Sequence, residues 1–157
     1  MQKGWTVMGL ILIDSNVLIY AYDVRDQPRQ EHAFSVLKTI GSFGNGRLSA
    51  QCLSEFFSRT TRGPSPLLSI PEAAQQTTYL STIFRVHPVT QQIVNEAIRG
   101  VLEAHFSYRD AQIWAAARLN QIPVIFSEDF NSGSTIEGVH FVNPFSPDFI
   151  MDDWITN

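Results

Sequence analysis

A short unbroken apolar run, Gly9 to Ile13 (GLILI), halts abruptly at Asp14. A run of this length without alternation suits a strand buried on both faces of a sheet. A helix is expected to follow, through Ala21. Pro28 fits the first position of a second helix, in which Ala33, Phe34, Val36, Leu37 and Ile40 recur at helical spacing until Gly41 is expected to end it. Arg47 to Ala50 reads as a brief strand. Gln51 to Arg62 then puts Cys52, Leu53, Phe56 and Phe57 on one helical face, and the segment from Gly63 to Pro71, with three prolines, breaks it. The pattern predicts a helix over 72–84, a strand over 85–89, a helix over 90–104 capped by Thr90, and another over 108–119. Ile122 to Phe126 reads as an apolar strand, Ser127 to Gly138 as a polar loop, and Val139 to Val142 as the last strand.

Strands alternating with helices over this length predict an α/β fold: one domain, residues 8–145, with a central parallel sheet of four to five strands flanked by helices on both faces. Residues 146–157 are left as a tail of unassigned role. Sheets of this kind bind their ligands beyond the carboxyl ends of the strands. The stretch from Val7 to Ile13 follows Lys3 as a signal peptide would, yet Asp14 and Asn16 interrupt it, and no span approaches the ~20 residues of a membrane helix. A soluble, cytoplasmic protein without a membrane partner is expected. The single cysteine, Cys52, excludes an internal disulfide and a cysteine zinc site, and reads as a small buried apolar residue.

A formal charge of -4 argues against a chain that grips nucleic acid by counterion release alone. It remains compatible with phosphate chemistry at a metal, because bound divalent ions reverse the local sign. Four acids fall where such a site would lie. Asp14 follows the first strand, Glu55 lies one helical turn past the second, Asp129 stands just beyond the fourth, and Asp110 opens the helix that feeds the fourth. Carboxylate oxygens suit Mg²⁺, with Mn²⁺ able to substitute, as one ion or two. Each acid also has a purely structural reading: Asp14 as a helix cap, Glu55 as partner of Arg59, Asp129 as a turn former, Asp110 with Ser107 as a capping box. With fifteen acids in the chain, spacing alone leaves both readings open.

Arg59, Arg62 and Arg109 lie near the expected cleft, either as RNA contacts or as ordinary surface cations. Trp114 reads as core ahead of a base-stacking platform. His32, His87, His105 and His140 show no ligand spacing. A phosphatase that uses an aspartate after its first strand would need a second aspartate two positions on, where Asn16 stands.

The strings LILIDSNVLIYAY, LSAQCLSEFFSRTTR, FSYRDAQIWAAARLNQIPVIFSEDFNSG and VNPF resemble, in order, the motifs of the PIN-domain family in its VapC-type toxin branch. The resemblance runs from about Leu10 to Phe145, so Met8 is a second candidate for the natural start. It implies that Asp14, Ser15 and Asn16 fill the first motif and that Glu55, Asp110 and Asp129 are the other catalytic acids. Asp14, Asp110 and Asp129 would contact metal directly or through water, and Glu55 would position metal-bound water. Ser15, Asn16 and Ser127 would support them, and Glu128 is either a further supporting carboxylate or a solvated loop residue. The implied activity is a Mg²⁺-dependent endoribonuclease that leaves a 5′-phosphate and a 3′-hydroxyl, inhibits translation, and is neutralised by a VapB-like antitoxin. A homodimer is implied as well. Two departures stand out: Ser15 where threonine is commoner, and Tyr108-Arg109 before the third acid where Phe-Trp is frequent. The alternative is a catalytically silent module of the same fold that binds RNA or protein.

Overall fold

In the computed structural model, which describes residues 9–155, the apolar run becomes strand β1 (Ile11–Ile13), buried along its whole length. Asp14 turns the chain directly into the short helix α1 (Ser15–Tyr20). Helix α2 (Gln27–Phe43) starts at an Asp26 cap, with Pro28 in its first turn where a missing N–H costs nothing. It runs past Gly41, which corrects the expected stop. A Cβ at Gly41 would lie 3.1 Å from Ile83, so this glycine serves the close approach of two helices; the left-handed turn falls at Gly44, with φ 73°.

Strand β2 (Gly46–Ser49) passes through a Ser49 cap into α3 (Ala50–Thr61). Helix α4 (Ile70–Ile83) begins inside the stretch expected to be loop, because Ser69 and Glu72 form a reciprocal capping box and Pro71 occupies its first turn. There follow β3 (Arg85–His87), α5 (Gln91–Ala104) capped by Thr90, and α6 (Tyr108–Leu119) capped by Ser107. The chain ends its regular structure with β4 (Val124–Phe126), β5 (Thr135–Ile136), β6 (Val139–Val142) and a 3₁₀ turn at Met151–Trp154.

The described strands form one sheet in the order β3-β2-β1-β4-β6-β5, in which every neighbouring pair is parallel except β5 with β6. Six strands therefore replace the expected four to five. The addition is the two-residue β5, folded back onto β6 through Glu137 and Gly138, whose φ angles of 47° and 83° make the kind of tight turn that matches strand twist. Two residues are too few to show a period.

Successive side chains of β1 face opposite ways, so Ile11 and Ile13 enter one core and Leu12 the other. The first core packs β1, β2 and β4 against α1, α2 and α4; the second sets α5 and α6 against the far face, with Trp114, Ile125 and Phe141 fully buried. α3 reaches both, through Phe56 and Cys52. Residues after Ser146 also join the first core: the rings of Phe149 and Trp154 meet Phe126 edge-on, and Ile155 is buried. That gives the tail a packing role. No described helix is long and apolar enough to cross a membrane.

Candidate functional site

Register fixes where the strands stop. Ile13 of β1 pairs with Phe126 of β4, and Phe126 with Val142 of β6, so all three strands end level. Backbone hydrogen bonds carry the alignment one residue further, with Asp14 N–H donating to Phe126 O at 2.9 Å and Ser127 N–H to Val142 O at 2.9 Å. Asp14 and Ser127 thus sit side by side at the carboxyl edge of a parallel sheet.

Asp14 has no exposed surface, and a carboxylate that deep needs hydrogen-bond partners. It accepts from Ser15 N–H at 2.6 Å, from the Ser127 hydroxyl at 2.7 Å and from Arg109 Nη2 at 2.8 Å. The Ser127 hydroxyl in turn accepts from Asn16 Nδ2 at 3.3 Å and from the Asp129 N–H at 3.0 Å. One hydroxyl therefore ties the first motif to the loop that bears Asp129. Ser15 plays the matching part on the other side, its hydroxyl donating to Glu55 Oε1 at 3.1 Å.

The four expected acids converge on one guanidinium. Arg109, in the first turn of α6, places Nε 2.8 Å and Nη2 2.9 Å from Glu55, Nη2 2.8 Å from Asp14, Nη1 3.0 Å from Asp110 and Nη1 3.5 Å from Asp129. Its hydrogen bond with Glu55 is the two-pronged form that an arginine fork favours. Burial opposes its charge, but the hydrogen bonds and charges of Glu55 and Asp14 outweigh that and hold its pKa well above the usual range. Burial pushes the Asp110 carboxyl up, and Arg109 partly offsets this. Sequence reading set Arg109 near the cleft, as an RNA contact or a surface cation; in the structure its guanidinium lies among the acids.

Carboxylate oxygens from four separate stretches, packed around a positive charge, are the donor set a hard divalent cation takes, and the guanidinium marks where that charge belongs. Among the described residues, Asp14, Cys52 and Glu55 bring one potential ligand atom each within 4.8 Å of one another, with the Cys52 Sγ 3.9 Å from Asp14. Complete burial and the neighbouring Asp14 charge keep its thiol strongly protonated, so it contributes packing and no thiolate ligand. A cation here would meet carboxylate oxygens rather than sulfur.

The remaining candidates divide. Arg59 reaches the Ser15 hydroxyl at 3.4 Å, at the margin of the acids, whereas Arg62 is exposed where α3 ends. Glu128 turns away, held by the Tyr20 hydroxyl at 2.7 Å and Arg29 at 2.9 Å. Trp114 is fully buried and donates to Ile136 O, which leaves no face for a base. His32 bonds Pro144 O and His140 the Thr135 hydroxyl, both remote from the acids in the contacts they make. Sequence reasoning missed the clamp that orients α6: Gln51 donates to Arg109 O at 3.1 Å and accepts from Gln112 at 3.0 Å. Two glutamines carry no signal of their own.

The family model of the PIN domain matches residues 11–132. Sequence comparison with curated proteins finds no match. Among solved structures, the chain is similar to a toxin-antitoxin complex from Klebsiella pneumoniae (TM-score 0.64, 19% identity, 86% of this chain and 98% of that one). It is also similar to VapC20 of Mycobacterium tuberculosis, a sarcin-ricin loop cleaving toxin (0.60, 21%, 81% and 97%), and to DNA-bound VapBC from Salmonella typhimurium (0.62, 16%, 85% and 97%). At such identities these likenesses speak for the fold, and the family match covers most of the same residues. The chain belongs to the PIN domain family.

Proposed function

We propose that this chain is a Mg²⁺- or Mn²⁺-dependent endoribonuclease, a VapC-like toxin that blocks translation by cutting RNA and is restrained by a VapB-like antitoxin. One observation carries the reading: Asp14, Glu55, Asp110 and Asp129 meet around a single positive charge at the carboxyl edge of the sheet. Asp14, Asp110 and Asp129 would hold a divalent ion, directly or through water, and Glu55 would orient water toward the scissile phosphodiester. When bound, the ion supplies Lewis-acid stabilisation of phosphate charge and makes a coordinated water more acidic. The Ser127 and Ser15 hydroxyls fix the carboxylate rotamers that geometry requires. Arg59, at the margin, is suited to steer a phosphate.

Regulation rests on the neighbours' assemblies and on exposed apolar surface. Phe34, Leu37, Tyr79, Leu80, Ile83 and Phe84 line a groove between α2 and α4, in which Phe34 and Tyr79 are more than half exposed. Such a surface suits a partner's amphipathic segment. Ile98 and Leu102 of α5 form another apolar face, suited to a second copy in a homodimer. An RNA substrate places the site of action in the cytoplasm.

The guanidinium lodged among the acids favours one rival, a silent module that binds RNA or protein without cutting. Incubation with structured RNA and Mg²⁺ separates the two. Cleavage is expected with the wild type, and a loss of ~100-fold or more with Asp14→Asn or excess EDTA. Cleavage that survives both treatments, or never occurs with folded wild type, overturns the nuclease reading.

A further inference from the structure

Four carboxylates drawn into one pocket repel one another, and Asp14 among them is fully buried. One guanidinium answers all four, with only 30% of its side chain exposed. Local structure does not favour it there. Arg109 lies in the first turn of α6, where the helix end is already positive and a cation is the wrong sign. The position is sustained by the acids, and by Gln51, which fixes the Arg109 carbonyl from α3. A divalent ion bound by the same oxygens would occupy the volume the guanidinium fills and satisfy the same charges. The guanidinium and an ion bound by those oxygens cannot both fill that volume.

We infer that Arg109 is a built-in counter-cation which keeps the metal-free pocket folded and must swing out when a divalent ion enters, so that metal affinity is set by the cost of displacing it. This rests on the metal-site reading of the four acids. Its content is that one residue of this chain competes with the metal. An ordinary structural ion pair would stay in place while the metal bound. The exchange puts a divalent ion where a singly charged guanidinium stood, on the same carboxylate oxygens. Arg109 has somewhere to go, since 30% of its side chain already meets solvent.

Calorimetric titration of Mn²⁺ into wild type, Arg109→Gln and Arg109→Lys is the test, with thermal midpoints recorded with and without metal. Arg109→Gln is expected to bind Mn²⁺ about tenfold or more tightly, within the range of ordinary coupling between two sites, and Arg109→Lys to fall between. The metal-free midpoint of Arg109→Gln should drop and its rise on Mn²⁺ addition should exceed that of the wild type. Equal or weaker binding by a folded Arg109→Gln, with wild type binding normally, overturns the displacement and leaves the metal site standing. Absence of binding in all three overturns the metal site itself and the displacement with it. ¹⁵N-labelled wild type separates displacement from charge repulsion alone, and decides as well should Arg109→Gln fail to fold. The Arg109 Nε–H resonance, assigned by its absence in Arg109→Lys, is expected to lose exchange protection as Mg²⁺ saturates; a resonance unchanged at saturation overturns the inference.

Discussion

Ser127 shows how far the site depends on single atoms. Its hydroxyl donates to Asp14 while accepting from Asn16 and Asp129, so three residues of the site are aligned by one oxygen. Ser127→Ala keeps the fold but frees the Asp14 carboxylate to rotate. Metal affinity should fall by ~10–100-fold, as with other partners that orient a ligand, with little change in circular dichroism. Affinity equal to wild type would show that Ser15 N–H and Arg109 orient Asp14 without Ser127. At this scale the acids were legible because each follows a strand end or opens a helix. Arg109 was not, because spacing locates a side chain and says nothing of whether it points outward or folds back. Glu128 illustrates the same limit: next to Asp129 in sequence, it belongs to the Tyr20 and Arg29 contacts.

Elements were read well where hydrophobic period and capping agreed. Helix α6 spans Tyr108–Leu119 and strand β6 Val139–Val142, as expected from the pattern alone. Errors arose where one residue type serves two purposes. Gly41 looked like a helix end but allows α2 to meet α4, and the prolines before α4 looked like loop although Pro71 begins the helix. Gly46 also allows a close approach, and a tighter one than Gly41. A Cβ there would lie 2.6 Å from Ile40 and 2.6 Å from Phe84, both buried, so neither neighbour has room to yield. Gly46→Ala is therefore expected to cost about 1–3 kcal/mol by overpacking. For a domain of this size each kcal/mol moves the midpoint by roughly 2–4 °C, readable by scanning calorimetry. An unchanged midpoint would mean that β2 shifts freely, and with it the α3 residues, Glu55 included, that it positions.

The whole molecule explains why acids far apart in the chain meet. A sheet whose central strands β2, β1, β4 and β6 run parallel ends them all at one edge, where the turns after β1 and β4 carry Asp14 and Asp129, the second turn of α3 carries Glu55, and the first turn of α6 brings in Asp110. That convergence followed from fold class. The docking of the tail did not, since its few apolar residues, Phe149, Met151, Trp154 and Ile155, lack a period and find their place only against an assembled core. Globally the chain is acidic, at -4, and its site concentrates negative charge that a hard cation would reverse. The most direct measurement is anomalous scattering from crystals soaked in Mn²⁺. The account expects a peak among Asp14, Asp110 and Asp129, bound to their oxygens or one water removed, with Glu55 beside it. A saturated soak with no peak at that edge, or with manganese only elsewhere, would contradict it.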